Sequence, residues 1–420
     1  MDMLKPVQFA MVGLGGYAKF VCELLLEFSG RAEAGMAPVN LLAVCEPDQA
    51  THAKEIAALR DRGVKVFDRY ENLLAEPVDA VWLPLPIDLH RSFTEQALEA
   101  GKHVLCEKPA AGCVDDVDAM IAARDRSGKL VAIGYQDIYD PAILQLKHLL
   151  LGGVIGKIRR AVVWACWPRN RHYWQRSAWA GCMQRHGAWI MDSPPNNALA
   201  HQVNLLPFLL GDAPWTSVIP THVKAELYRA AAIENYDCGA LQITMANGVE
   251  LLALLTHACG QQIGPIVTIE GDEGVVHGDA DSFVIESSRA TETITRSSNS
   301  EKNAHILTRF ASAIRNPQEG DAQPCTLEIA RVQSVITSAA SQACPVSEVP
   351  DSHIVMEKHE GGPVRAIGGI ETIFEGCAKH FQLPHEAKAA PWTRPAAGIN
   401  VGGYNHFAGP AAITSAGESG

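Results

Sequence analysis

The chain of 420 residues carries a formal net charge of -12, which argues against a protein whose main partner is nucleic acid or an anionic membrane surface. Hydrophobic residues make up 47% of the chain and charged residues 20%, a balance typical of globular proteins and inconsistent with global disorder. A chain of this length favours two domains.

The first third of the chain alternates short apolar runs with amphipathic segments, the pattern of a parallel α/β sheet. Apolar runs predict strands at Val7–Val12, Leu41–Cys45, Val64–Phe67, Ala80–Leu83, His103–Cys106 and Leu130–Ile133. Helical periodicity predicts helices between most of them, notably at Lys19–Phe28, Ser92–Ala100 and Val114–Arg126. This rhythm predicts a doubly wound Rossmann domain over residues 1–137.

A G-x-G-x-x-A fingerprint, formed by Gly13, Gly15, Gly16, Tyr17 and Ala18, lies between the first predicted strand and the first predicted helix. Gly13 permits a tight turn, Gly15 lets the backbone approach a pyrophosphate, and Ala18 allows close packing of helix on strand. The free N–H groups of the helix start then face the phosphates. The alternative is a glycine turn that binds no nucleotide; the strand–turn–helix context favours a dinucleotide.

The second predicted strand ends in Cys45-Glu46-Pro47-Asp48. An acidic residue at this position accepts hydrogen bonds from the adenosine ribose and repels a 2′-phosphate. Ser29–Pro38 is interpreted as a lengthened loop that separates Glu46 from the glycines. A solvated acid at a strand end is the alternative, but with the glycines in place Glu46 predicts NAD in preference to NADP.

After Gln136 the pattern changes, with a predicted helix at Ala142–Leu151 followed by longer β runs. These are Ile158–Trp167, Val218–Tyr228, Cys238–Met245, Glu250–Thr256, Ile266–Gly271 and Ser282–Ser287. Helices are predicted again at Ala304–Ile314 and Leu327–Ser341. Glycine-bearing turns predict an α+β domain with a large, mainly antiparallel open sheet over residues 138–383. Residues 384–420 form an Ala/Gly/Pro-rich C-terminal extension, with a flexible tail predicted for the last ten residues.

An ordered series of motifs follows the glycine fingerprint: Pro86-Ile87-Asp88-Leu89-His90, Ala100-Gly101-Lys102-His103-Val104 and Glu107-Lys108-Pro109. The series resembles the GFO/IDH/MocA family, named after glucose–fructose oxidoreductase, inositol dehydrogenase and a rhizopine-catabolism protein. The resemblance is dense over Val7–Gln136 and continues more loosely to Ala390-Pro391-Trp392. It implies hydride transfer between NAD(P) and a carbohydrate hydroxyl. It also implies a homodimer or homotetramer assembled through the open sheet of the second domain.

The resemblance implies further cofactor contacts beyond the fingerprint and Glu46, from Leu85, Pro86, His90, Glu107, Lys108 and Gln136. It places Lys108 near the nicotinamide and the reacting hydroxyl. An ammonium group beside an alcohol stabilises a developing alkoxide and can belong to a proton relay. The alternative for Lys108 is a surface lysine at a helix start, where the helix dipole mildly disfavours a cation.

The second catalytic element departs from the family pattern. Members commonly carry Asp-x-Gly-x-His-x-x-Asp on a helix, whereas this chain has Asn197, His201 and Asn204 at the Asp, His and Asp positions. Asn197 can orient a hydroxyl but cannot accept a proton, so His201 is expected to be the main base, with Asp192 or Tyr135 as alternatives. A lone His on an apolar helix is more often a core residue, but the motif match favours catalysis.

The segment from Trp164 to Trp179 is dense in aromatic and arginine residues. Aromatic rings stack on the C–H faces of sugars, and arginines bond hydroxyls or a carboxylate. Substrate binding is therefore predicted for Trp167, Arg169, Trp174 and Trp179, alongside Lys108, Asn197 and His201. A mixture of sheet core and subunit interface explains the same composition equally well.

The 11 cysteines are scattered singly and form no C-x-x-C pair. Reduced thiols in a cytoplasmic protein, with no metal site, are the expected state. The segment Met1–Pro6 shows no signal-peptide pattern, and no run approaches the roughly 20 apolar residues that cross a bilayer.

The pattern as a whole predicts an NAD-dependent oxidoreductase acting on a sugar or polyol hydroxyl. One alternative is a redox-neutral enzyme in which bound NAD oxidises a sugar transiently before cleavage or isomerisation. Another is a regulator that binds sugar or NAD and has lost the chemistry.

Overall fold

The computed structural model describes residues 5–30, 38–289, 291–316 and 324–412. The chain divides into two compact units, the first comprising residues 1–111, 116–139 and 299–330, and the second residues 112–115, 140–298 and 331–420. The predicted boundary after residue 137 lies two residues from the division at Asp140. Residues 299–330 were predicted to lie in the second domain, but they belong to the first unit.

The first unit contains a six-stranded parallel sheet in the order β3-β2-β1-β4-β5-β6. Its strands are β1 (Val7–Val12), β2 (Val39–Cys45), β3 (Lys65–Phe67), β4 (Ala80–Leu83), β5 (His103–Cys106) and β6 (Val131–Ile133). Its first helices are α1 (Tyr17–Phe28), α2 (Ala53–Asp61), α3 (Tyr70–Leu74), α4 (His90–Glu99) and α5 (Val114–Ser127). This strand order is that of the Rossmann fold, so the predicted fold is confirmed.

The remaining elements follow in chain order, and most of them belong to the second unit. The helices are α6 (Pro141–Leu151), α7 (Arg171–Gln175), α8 (Ala200–Leu209), α9 (Asn299–Arg315), α10 (Leu327–Ala343) and α11 (Ile370–His380). The strands are β7 (Ile158–Cys166), β8 (Gln184–Arg185), β9 (Ala188–Trp189), β10 (Pro220–Arg229), β11 (Cys238–Met245), β12 (Glu250–Thr256), β13 (Ile263–Gly271), β14 (Gly274–Gly278), β15 (Ser282–Ser287), β16 (Thr291–Thr295), β17 (Val346–Glu348), β18 (Ile354–Glu357), β19 (Val364–Ile367) and β20 (Ala397–Asn400).

The large sheet of the second unit has the order β16-β15-β14-β13-β7-β12-β11-β10-β17, with β20 also paired to β10. Its neighbours are antiparallel except for β7 with β12 and β10 with β17, so the predicted mainly antiparallel sheet is confirmed. Even-numbered residues of β7 such as Trp164 pack in a cluster with Phe374 of α11 and with Trp392. The odd-numbered Val163 is fully buried as well, so both faces of β7 are covered.

Helix α9 belongs to the first unit although about 165 residues separate it from β6 in sequence. The ring of Phe310 lies 6.2 Å from that of Phe9. The Arg315 guanidinium donates to the carbonyl oxygen of Pro6 and to Oδ2 of Asp79, at 2.7 and 2.9 Å. An amphipathic helix buries its apolar stripe wherever a complementary surface exists, so its sequence pattern alone could not assign it to a unit.

The C-terminal extension packs as part of the second unit over its described length. Its strand β20 pairs with β10, and the ring of Trp392 meets that of Tyr228 edge to face at 4.8 Å. Residues 413–420, most of the predicted flexible tail, lie outside the described residues, as do residues 31–37 of the predicted loop before β2. Among the helices in the described parts of the chain, none has the length and apolar character needed to span a bilayer.

A buried carboxylate anchors this extension and gives a pH-dependent prediction. Glu226 is 1% exposed; its Oε2 accepts from the Tyr228 hydroxyl at 2.7 Å, and both oxygens accept from the His385 N–H at 3.1 Å. Burial raises the pKa of Glu226 from 4.5 to about 7. In that interval the folded state binds more protons than the unfolded state, so the contribution of Glu226 to stability falls as the pH rises.

The free energy of unfolding of the wild type and of Glu226→Gln is therefore expected to respond differently to pH. Between about pH 5 and about pH 8 the wild type should lose about 2 kcal/mol more than the variant. Urea denaturation at both pH values measures the difference. Glu375→Gln, which removes an exposed carboxylate of α11, should show no such difference. Parallel pH profiles of wild type and Glu226→Gln would contradict the prediction.

Candidate active site

The glycine fingerprint forms the turn from β1 into α1, as predicted. Gly13 and Gly16 adopt φ angles of 91° and 56°, which favour glycine. A Cβ added to Gly13 would lie 3.4 Å from that of Ala18, and one added to Gly16 would meet no atom within 4 Å. No side chain of the described residues caps the first turn of α1. The turn therefore combines open space at Gly16 with a helix start that no described side chain caps, an arrangement that fits a dinucleotide pyrophosphate.

Glu46 lies beside this turn at the end of β2. Its Oε2 accepts from the Leu14 N–H and its Oε1 from the Asp48 N–H, each at 2.8 Å, and the residue is only 6% exposed. The Nε2 atom of His52 lies 3.9 Å from Oε2. A carboxylate held next to the glycine turn fits the predicted contact with the adenosine ribose. The sequence offered no motif that would have singled out His52.

NAD is expected to bind more tightly than NADP, because the Glu46 carboxylate repels a 2′-phosphate. Glu46→Gln retains the size of the side chain and removes its charge, so the ratio of NADP to NAD affinity should rise about tenfold or more. Titration of both nucleotides by calorimetry measures this ratio. Glu99→Gln, an exposed charge at the end of α4, is the matched control. NADP binding as tight as NAD binding in the wild type would disprove the assignment.

The Glu107-Lys108-Pro109 turn follows β5 and is organised by the buried Glu107 side chain. Glu107 Oε1 accepts from the indole N–H of Trp82 at 3.1 Å, and Oε2 accepts from the Lys108 N–H at 3.3 Å. Burial raises the pKa of Glu107 to about 7. A Cβ on Gly134 would lie 2.7 Å from Glu107 Oε2, so glycine there makes room for the carboxyl group. Glu107 thus holds the backbone of Lys108, whose side chain is half-buried.

His90 connects two of the motifs through its ring. Nδ1 lies 2.8 Å from the carbonyl oxygen of Pro109, and Nε2 lies 2.9 Å from that of Leu85. The side chain is fully buried, and burial lowers its pKa. The ring therefore ties the Leu85-Pro86 turn to the Lys108-Pro109 turn. Its predicted part in cofactor binding is best explained by positioning these two turns.

Gln136 begins a short 3-10 helix, Gln136–Tyr139, after β6. Helix α9 holds this segment, since the Lys302 ammonium lies 3.1 Å from Asp137 Oδ1 in a buried pair. The neighbouring Tyr135 is 1% exposed, and burial raises its pKa well above 10. That shift disfavours Tyr135 as a base near neutral pH.

In the second unit the structure brings together Asp192 and Asn197. The Asn197 side-chain amide donates to Asp192 Oδ1 at 2.7 Å, and the Gly181 N–H donates to Oδ2 at 2.6 Å. The Arg176 guanidinium lies 3.9 Å from Oδ2. Asp192 is only 1% exposed. Its buried carboxylate and its hydrogen bond to Asn197 favour a role in positioning Asn197.

His201 is the second residue of α8. Every other side chain of this helix, which the structure describes in full, is buried, whereas His201 is half-buried. Helix α8 is buried around nearly its whole circumference, including the polar Gln202 and Asn204, and His201 is its one partly exposed side chain. This placement favours the functional interpretation of His201 over a core histidine.

The aromatic and arginine segment surrounds α7. The Arg169 guanidinium lies 4.7 Å from the ring centre of Tyr173 and 5.8 Å from that of Trp167. Arg176 stacks on Tyr173 and Trp179, at 3.8 and 4.8 Å. The Trp167 indole N–H donates to the carbonyl oxygen of Gly264 at 3.0 Å, which anchors it to β13. Of the four residues predicted for substrate binding here, Arg169 and Trp174 line a cavity of about 720 Å³.

The described cysteines give no sign of metal or disulfide chemistry. All 11 are free, and ten of them are buried. The described residues hold no group of three or more His, Cys, Asp or Glu side chains arranged to bind a metal ion.

Comparison with known proteins supports the family and the fold. Residues 7–135 match the model of the GFO/IDH/MocA oxidoreductase family, described as an NAD-binding Rossmann fold. Inositol 2-dehydrogenase of Rhodococcus erythropolis is 40% identical over 119 residues, 28% of this chain and 34% of that protein. A dTDP-3,4-didehydro-2,6-dideoxy-alpha-D-glucose 3-reductase of Saccharopolyspora spinosa is 31% identical over 158 residues, 37% of this chain and 45% of that protein. The chain thus matches less than half the length of these relatives.

Solved structures resemble a larger part of the chain. The WlbA dehydrogenase of Bordetella pertussis, in complex with NADH and UDP-GlcNAcA, matches with a TM-score of 0.62 and 22% identity over 79% of this chain and 94% of that chain. An NAD binding oxidoreductase of Klebsiella pneumoniae matches with a TM-score of 0.67 and 19% identity over 79% of this chain and 95% of that chain. At these identities the likeness shows the fold. Residues 7–135 are therefore similar to the NAD-binding Rossmann fold of the GFO/IDH/MocA oxidoreductase family.

Proposed function

We propose that this protein is an NAD-dependent dehydrogenase that oxidises a hydroxyl group of a sugar or polyol. The observation that carries the proposal is the joint placement of the open glycine turn, the Glu46 carboxylate beside it and the anchored Glu107-Lys108-Pro109 turn in one Rossmann unit. The family match and the activities of the relatives, an inositol dehydrogenase and a deoxysugar reductase, support the substrate class.

Bound NAD supplies the acceptor for the hydride. The residues of the chain supply the rest: Lys108 stabilises the alkoxide that develops as the substrate hydroxyl loses its proton, and His201 accepts that proton. Asn197, held by Asp192, orients the hydroxyl. In this proposal Asn197 stands where members of the GFO/IDH/MocA family commonly carry an aspartate. His201 therefore has an amide, and not a carboxylate, as its neighbour in the motif.

We further propose a homodimer or homotetramer assembled through the large sheet, and a cytoplasmic location. The first rests on the family resemblance and on a sheet long enough to provide an interface. The second rests on the 11 free cysteines, because oxidising compartments favour disulfides.

Incubation with NAD and a panel of sugars, polyols and their acids tests the proposal. NADH formation, followed by absorbance, together with a keto product is the expected result. A converted sugar without net NADH would replace the proposal by the redox-neutral reaction. Binding of a sugar without any conversion would replace it by a regulatory role. Glu107→Gln at the Lys108 turn should lower the rate in the first two cases and leave binding of the sugar unchanged in the third.

A further inference from the structure

A cavity of about 720 Å³ in the second unit has a charge opposite to that of the chain as a whole. Three arginines line it, Arg169, Arg171 and Arg365, against one acidic residue, Glu234, so the lining carries a formal surplus of two positive charges. The whole chain has a net charge of -12. A cationic cavity in an acidic protein attracts anions selectively, because walls of low dielectric concentrate the local field.

The acidic residue and one arginine of the lining are already engaged. Glu234 Oε2 accepts from the Met183 N–H at 2.8 Å. Arg365 donates to the carbonyl oxygen of Ala230 and to Asp351, at 2.8 and 2.7 Å. The positive charge offered to a ligand therefore comes mainly from Arg169 and Arg171.

Arg169 is held rigidly and has donor capacity to spare. Its guanidinium packs on the rings of Tyr173 and Trp167, and Nη1 donates to the carbonyl oxygen of Pro168 at 3.1 Å. Its buried Nε has no hydrogen-bond partner among the described residues. A stacked, preorganised guanidinium is well suited to recognise a carboxylate or phosphate.

The neighbouring histidine adds no charge to this site. His257 is 2% exposed, and its Nδ1 lies 2.8 Å from the carbonyl oxygen of Trp167, to which it must donate. Burial and the nearby Arg169 lower the pKa of His257 to about 3, so the ring is neutral near physiological pH. The electrostatic character of the cavity is consequently set by the arginines.

The cavity also offers apolar walls and a connection to the proposed catalytic residues. The Trp174 ring and Met356 line it, which suits the C–H face of a sugar. Gly181 lines it as well, and the Gly181 N–H donates to the carboxylate of Asp192, which accepts from Asn197. One hydrogen-bonded path therefore joins the cavity wall to the start of the catalytic motif.

We propose that this cavity binds an anionic group of the substrate, a carboxylate or a phosphate attached to the sugar, so that the enzyme prefers acidic sugars to neutral ones. The proposal rests on the proposed function, since it names the substrate class of that site. Arg169 and Arg171 hold the anion, and the Trp174 ring packs against the sugar.

The test compares probes that differ in charge: glucose, glucuronate, glucose 1-phosphate and UDP-glucuronate. The wild type is expected to use or bind at least one anionic probe about tenfold or more better than glucose. Preference for glucuronate assigns the anion to the sugar carboxylate, whereas activity restricted to the phosphorylated probes assigns it to phosphate. Equal kcat/KM for glucose and all anionic probes would overturn the inference and leave the proposed dehydrogenase intact.

Arg171→Gln alters an exposed lining residue of α7 and should raise KM for the preferred anionic probe about tenfold, with kcat and NAD affinity little changed. Arg159→Gln is the matched control. Arg159 lies on β7 and forms an exposed ion pair with Asp272, so the substitution removes the same charge outside the cavity. An equal loss in both variants would overturn the inference in favour of a general charge effect. Calorimetry with the same probes separates the two proposals: Arg171-dependent binding without NADH formation would retain the anion site and reject the dehydrogenase.

Discussion

Replacement of either Lys108 or His201 by Ala is expected to lower turnover of the sugar substrate by roughly 10²-fold or more, while NAD still binds. Loss of a hydride from a carbinol carbon requires the attached hydroxyl to lose its proton. Without Lys108 the developing alkoxide loses an electrostatic partner, and without His201 the proton loses its proposed acceptor. Steady-state kinetics and NAD titration of both variants measure the two effects separately.

The structure supplies sharper controls for this prediction. Glu107→Gln retains the side-chain acceptor that holds the Lys108 N–H and should therefore cost less turnover than Lys108→Ala. If Lys108 and His201 serve one step, the double variant should lose less than the product of the single losses. Asn197→Asp should change the pH profile more than it changes binding. Near-normal turnover of His201→Ala would make Asp192 the leading candidate for the base and would reject the proposed mechanism.

Sequence reasoning worked best for strands. Strands β1, β4, β5, β11, β12 and β15 match their predicted bounds at both ends, because apolar runs and alternating patterns are visible in the sequence itself. Helix α2 was not predicted: only two of its nine residues are buried, so it presents almost no apolar stripe. The unit to which α9 belongs could not be predicted either, since that depends on contacts with Phe9 and Asp79, far away in sequence.

In the candidate site, motif residues could be predicted from the sequence, whereas the contacts that hold them could not. Gly13, Glu46 and Lys108 carry motif signals, and the structure adds how they are held, through the Leu14 N–H, the Trp82 indole and the Glu107 carboxylate. The cationic cavity could only be recognised in part from sequence. Arg169 and Arg171 lie in the aromatic segment, but Arg365 comes from β19, about 190 residues later. A lining assembled from distant segments has no local pattern.

Helix α8 is held at the end opposite His201 by a buried lysine that no motif indicates. Lys147 of α6 is 1% exposed, and its ammonium donates to three backbone carbonyl oxygens, those of Phe208, Gly211 and Thr216. The last carbonyl groups of a helix have no partner within the helix, and a cation is favoured at this negative end of the dipole. Burial lowers the pKa of Lys147 to about 7, which marks the cost of placing an ammonium group here.

Lys147→Met is therefore expected to lower the free energy of unfolding by about 1–3 kcal/mol near neutral pH. Methionine fills the space of the side chain but removes the ammonium donor of the Gly211 carbonyl and leaves the Phe208 carbonyl with the Gly211 N–H alone. Urea denaturation measures the loss. Gln145→Met, at an exposed position of the same helix, should stay within about 0.5 kcal/mol of the wild type. Helix α8 begins at Ala200 and carries His201. Fraying of its other end should therefore also lower kcat at urea concentrations below the unfolding midpoint, with NAD affinity unchanged. A Lys147→Met protein as stable as the wild type would show that water or a rearranged backbone satisfies these carbonyls, and Lys147 would then have no role in holding α8.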